Sequence, residues 1–118
     1  REYRSVTDYE KEVALTGQGH LTFNLFLWGD SITFGKDYHA VLLYKGKYIQ
    51  PFFKKNEELA KWDETVSKYE GHFIYDFPLV STVDDEKISI DPNGKVTLII
   101  IPGVGKETRF EFDLSKMR

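Results

Sequence analysis

Cysteine is absent from all 118 residues, which excludes disulfides, thiolate metal sites and a cysteine nucleophile. No Pro, Gly or Ser tract marks a linker, and the length suits one hydrophobic core, so the sequence reads as a single domain over 1–118. No apolar run approaches the ~20 residues of a membrane-spanning helix. The densest run, VTLIIIPGV at 96–104, is broken by Pro102. Neither sign of charge is gathered into a block: 16 Lys and Arg stand against 19 Asp and Glu, a net charge of -3. A nucleic-acid partner, which needs a basic face to neutralise phosphates, is therefore not expected.

What the chain does have is apolar and aromatic side chain, 41% and 15% of its residues, well clear of the composition of disordered segments. It opens on Arg1 and not on Met, as a processed or excerpted chain does, and an extracytoplasmic or secreted location is the expectation.

Most of the sequence alternates with period two, the signature of half-buried strands. In KVTLIIIPGVGKETRFEFDL, Val96, Leu98 and Ile100 share one face, and Phe110, Phe112 and Leu114 share another beyond the turn. Gly103 and Gly105 are expected to supply the positive φ angles of that turn. In YHAVLLYKGKYIQPFF, Lys45 and Gly46 separate an arm carrying Ala40, Leu42 and Tyr44 from one carrying Tyr48, Gln50 and Phe52. Pro51 marks the second arm as a sheet edge, because proline cannot donate to a ladder. DPNGK at 91–95 is a third turn. One stretch departs from the pattern: Leu59, Trp62, Val66 and Tyr69 recur at helical spacing between Asn56 and Gly71, which predicts a short amphipathic helix over about 57–69 inserted between strands. The fold class expected is mainly β, an antiparallel β-sandwich of immunoglobulin-like type with that one helix; an α+β roll is the alternative.

Residues 29–35, GDSITFG, follow an apolar run and resemble the first sequence block of the SGNH, or GDSL, hydrolases, α/β esterases and lipases. The resemblance covers seven residues and implies Ser31 as nucleophile. The family also uses a Gly-x-Asn-Asp block and a C-terminal Asp-x-x-His. Here the residues three places before His20, His39 and His72 are Gly17, Lys36 and Tyr69, and no Asp follows Asn24, Asn56 or Asn93. A serine without a base and positioned oxyanion donors is not activated, so Gly29, Asp30 and Ser31 are expected to form a polar turn.

Other motifs lead to weaker readings. PGVGKE at 102–107 lacks the first Gly and the hydroxyl residue of a phosphate-binding loop. The acids of VDDEK at 83–87 and DPN at 91–93 would gather around Ca²⁺ only if their loops met. Trp28, Trp62, Tyr38 and Tyr69 are the aromatics available for stacking on a sugar. The function expected is a non-catalytic binding or spacer module, with no cofactor and no catalytic or metal residues assigned. An unidentified protein partner would use the edge near KYIQPFF by β-augmentation. The alternatives are an esterase fragment acting through Ser31 and a carbohydrate-binding module.

Overall fold

The computed structural model describes residues 9–15, 19–103 and 105–116; Arg1, Gly17 and Val104 lie outside them. Among the described residues eleven strands follow one another: β1 (Tyr9–Leu15), β2 (His20–Gly29), β3 (His39–Tyr44), β4 (Lys47–Ile49), β5 (Phe53–Asn56), β6 (Lys61–Asp63), β7 (Lys68–Pro78), β8 (Val80–Val83), β9 (Glu86–Ser89), β10 (Lys95–Ile101) and β11 (Thr108–Asp113). A 3₁₀ turn at Leu114–Lys116 closes the described chain. Every pairing is antiparallel. One sheet has the order β1-β2-β7-β5 with β6 also on β7; a second has the order β11-β10-β3-β4; β8 and β9 pair with each other.

The period-two pattern decides what is buried. Leu21, Phe23, Leu25 and Leu27 of β2 and Phe73, Tyr75 and Phe77 of β7 join Ala40, Leu42 and Tyr44 of β3, Val96, Leu98 and Ile100 of β10, and Phe110 and Phe112 of β11 in one hydrophobic cluster. Both larger sheets thus contribute alternate residues to the same core, and burial of these side chains is the main stabilising term.

The three predicted turns are present. Lys45 and Gly46 both have positive φ, 48° and 79°, the requirement of a two-residue type I′ turn. That short loop pairs Tyr44 with Lys47 and Leu42 with Ile49, so the buried residue of the second arm is Ile49. Tyr48, Gln50 and Phe52, the arm anticipated from the sequence, are all exposed. Among the described residues of the β10–β11 loop Gly105 alone has positive φ; Gly103 lies instead against Asp37. Asp91 organises the DPNGK turn, its carboxylate accepting the Asn93 amide at 2.9 Å and its carbonyl the Gly94 amide at 2.8 Å.

The helix expected over 57–69 does not form. β5 leaves β7 after the mutual bonds of Glu57 and His72, the register slips by two residues, and the chain pairs with β7 again as β6, returning through the turn at 64–67. Two local features favour the hairpin. The Asp63 carboxylate accepts the Thr65 amide at 2.9 Å, a side-chain bond that competes with helix formation, and Thr65 and Val66 are β-branched. Gly71 is not a helix stop but a mid-strand residue beneath Phe34 and Phe73. The supposed apolar stripe faces solvent: Leu59 is 65% and Trp62 53% exposed.

Candidate functional site

The GDSITFG segment is a packing device. After β2 the chain folds through successive turns, with Phe34, Lys36 and Tyr38 amides donating to the carbonyls of Ser31, Thr33 and Gly35 at 3.1–3.2 Å. These turns carry the Phe34 ring back over the end of β2. A methyl group at Gly29 would sit 2.3 Å from Phe34 Cγ, and one at Gly35 would sit 2.2 Å from Phe73 Cζ. Phe34, Tyr38 and Phe73 form a ring cluster, Tyr38 stacking on Phe73 at 5.3 Å and Phe34 meeting both edge-on. The two glycines of the motif are therefore required by aromatic rings, and Ser31 projects from the exposed side of the turn. The contacts of the histidines lie elsewhere: His39 Nδ1 faces Lys54 Nζ at 2.9 Å, His72 bonds Asn24 and stacks on Phe26, and His20 lies edge-on to Phe52. Asp30, next to the serine, pairs with Lys68 at 3.0 Å.

The other sequence candidates are dispersed. Trp28 is buried and its indole N–H donates to Asp63 at 3.2 Å; Tyr38 is in the core. Trp62 and Tyr69 meet edge to face at 70°, which is not the flat platform a sugar ring stacks on. Asp84 and Asp85 form the β8–β9 turn and Glu86 pairs with Lys47 at 3.1 Å. Among the described residues no three His, Cys, Asp or Glu side chains gather as a metal site would require, and no helix is long and apolar enough to cross a membrane.

The arrangement that remains is built by Pro51. Because the Lys45–Gly46 turn has two residues, Tyr44 and Lys47 form a hydrogen-bonded pair, and by the alternation of an antiparallel ladder so do Leu42 and Ile49. The next position in this series is Ala40, and its partner in register would be Pro51. Proline has no N–H, so the ladder ends at Ile49 and the chain crosses through Gln50–Phe52 to begin β5 in the other sheet. Ala40 consequently turns its amide and carbonyl away from β10, toward the side that β4 has left. The following member of the series, Tyr38, has its carbonyl bound by the Asn56 side-chain amide at 2.7 Å, and Asn56 in turn accepts the Tyr75 hydroxyl at 2.8 Å. Burial, with Tyr38 nearby, pushes the Tyr75 phenol well above its ordinary value, so it is a firm donor.

Between Ile49 and Asn56 the outer edge of β3 thus borders an open bay of about 530 Å³, within the ~300–1,000 Å³ typical of binding sites. His39, Ala40, Val41 and Ile101 line one side and Gln50 to Lys54 the other. Its walls mix polar side chains with apolar ones that are unusually open: Phe52 is 59%, Phe53 47% and Ile101 37% exposed. The sequence pointed to this edge through Pro51 but not to Ala40, whose role depends on the register. Compared with protein-family profiles, curated proteins and solved structures, the chain matches none of them.

Proposed function

We propose that the chain is a non-catalytic binding module of immunoglobulin-like sandwich type, in a secreted or surface-anchored protein, and that it engages an extended segment of a protein partner at the bay beside β3. The sheet orders support the sandwich. An immunoglobulin constant-type domain places its strands as A-B-E-D and G-F-C, and β1-β2-β7-β5 with β11-β10-β3 repeats that order along the chain. On this reading β4 is a short extra strand beside C, and the β8–β9 hairpin is an insertion between E and F.

The observation that carries the binding site is the pairing edge at Ala40, left by Pro51 and flanked by exposed Phe52, Phe53 and Ile101. A strand edge with outward N–H and C=O groups accepts another chain by β-augmentation, and apolar walls supply contact area. The test is to pan a library of linear heptapeptides on the immobilised chain and on the variant Val41→Arg, which places a long charged side chain in the bay. Peptides that bind the native chain and lose binding to the variant support the reading. Recovery of no peptide, or of peptides indifferent to Val41→Arg, overturns it.

A further inference from the structure

The charge in the bay is of one kind. Among the described residues the one Lys, Arg, Asp or Glu side chain lining it is Lys54, and its ammonium donates to His39 Nδ1 at 2.9 Å. Lysine has no acceptor, so in this contact Nδ1 accepts, which leaves Nε2 on the other side of the ring, and two further N–H groups of Lys54 are uncommitted to that bond. Lys55 follows on β5. Among the described residues no carboxylate lines the bay; Asp76, which pairs with Phe53 across β5 and β7, has a buried Oδ1.

The geometry points to an occupant of stated chemistry: we infer that the bay takes an extended peptide running antiparallel to β3, reading apolar–small–acidic from its N-terminus. This rests on the bay being the binding site and specifies its ligand. In an antiparallel pair the residues directly opposite share a face. The peptide residue opposite Val41 lies on the outer face and meets Val41, whose partner on β10 is the buried Ile99, with Ile101 one face position further along, opposite His39. The next residue, opposite Ala40, exchanges both backbone bonds with it and points to the core face, beside an Ala40 side chain that is itself 2% exposed, so the inferred peptide carries a small side chain there. The third, opposite His39, returns to the outer face, within reach of the His39–Lys54 pair. A carboxylate there accepts from cationic and imidazole donors; a lysine there meets a like charge. Gln50, Pro51 and Phe52 occupy the corresponding positions in sequence, and Pro51 at the middle one is what prevents this chain from filling its own edge.

The experiment is an NMR titration of the isotope-labelled chain with three doubly capped peptides, acetyl-Thr-Ile-Ala-Glu-Thr-amide and its Gln and Lys counterparts. Capping removes the terminal carboxylate, so any charge effect comes from the side chain. The Glu peptide is expected to shift the amides of His39 to Leu42 and of Ile101, the Gln peptide to bind about two- to fivefold more weakly, as an exposed ion pair allows, and the Lys peptide to bind more weakly again by a similar factor. Lys54→Gln is expected to erase the preference for Glu over Gln while leaving binding in place. Equal binding of Glu and Gln peptides, a preference that survives Lys54→Gln, or shifts confined to other strands would overturn the inference. Should none of the three bind while library panning still yields peptides sensitive to Val41→Arg, the occupant is wrong and the bay stands. Should panning also return nothing, the bay itself fails as the site.

Discussion

The turn after β2 and the bay beside β3 are both places where a strand gives way to irregular chain, and the molecule treats them in opposite ways. At the first, Phe34 swings back onto Gly29 and Gly71, so rings cover the two ends of the turn while residues 30–33 stay exposed. At the second, Pro51 stops a ladder and the backbone of Ala40 faces outward. The region whose letters resemble a catalytic motif is anchored by packed rings with Ser31 exposed above them, and the region with no motif leaves, among the described residues, a strand edge without a neighbouring strand. A motif acquires chemistry only from its surroundings, whereas an open strand edge carries binding capacity in the backbone itself.

The contrast breaks most visibly at the packed end. Phe73→Ala should lower stability by about 3–5 kcal/mol in urea unfolding, the usual cost of deleting a buried ring. Gly35→Ala should cost about 1–3 kcal/mol by overpacking against the same ring. Because the two share one contact, Gly35→Ala combined with Phe73→Leu should cost less than the sum of the single changes; strict additivity would mean that Phe73 does not dictate the glycine.

Tyr75→Phe, at the boundary of the two regions, should cost about 1 kcal/mol, since it removes a hydroxyl donor and leaves Asn56 Oδ1 without that bond. Its pH dependence has a definite sign. The folded-state pKa is raised, so the contribution of Tyr75 is fully present below its ordinary value of 10.0 and is lost as pH rises beyond it. Urea titrations between about pH 9 and 11 should show a steeper alkaline loss in the native chain than in Tyr75→Phe.

At the bay the expected effect is on exchange and not on stability. The Ala40 amide should exchange with deuterium faster than those of Val41 and Leu42, which donate to β10 and β4 by the same alternation; equal protection at all three would remove the open edge. The smallest effect belongs to Ser31. Ser31→Ala should change stability by less than about 0.5 kcal/mol, and intact-mass analysis after a fluorophosphonate should show no adduct on either chain. An adduct lost in the variant would reverse the comparison and restore the esterase reading.

Much of the architecture was legible because its signals are local. The Lys45–Gly46, Asn93–Gly94 and Gly105 turns and the alternation of β10 and β11 follow from backbone sterics and period-two burial. The segment at 57–69 misled because four apolar residues at helical spacing are a helix only if something packs on them. Leu59, Trp62 and Val66 face solvent, and Asp63, tied to Thr65 and Trp28, makes a turn instead. The second arm of the β3–β4 hairpin was misassigned by one residue, and a slip of one exchanges the faces of a strand. Counting inward from the two-residue turn assigns Ile49 to the core and Pro51 to Ala40, so this part of the site was within reach of the sequence. The pairing of Lys54 with His39 was not, because it joins two sheets across a crossover.

The ten-residue ladder between β2 and β7 has a consequence for how the chain is made. It joins residues 40 to 58 positions apart, from Gly29 with Tyr69 to His20 with Pro78, so the loop-closure cost precedes the gain and formation is slow. During synthesis the apolar strand HLTFNLFLWG emerges long before its central partner. Until β7 follows, β2 has β1 as its available neighbour, and the bond from the Trp28 indole to Asp63 forms once the β6–β7 hairpin has joined it.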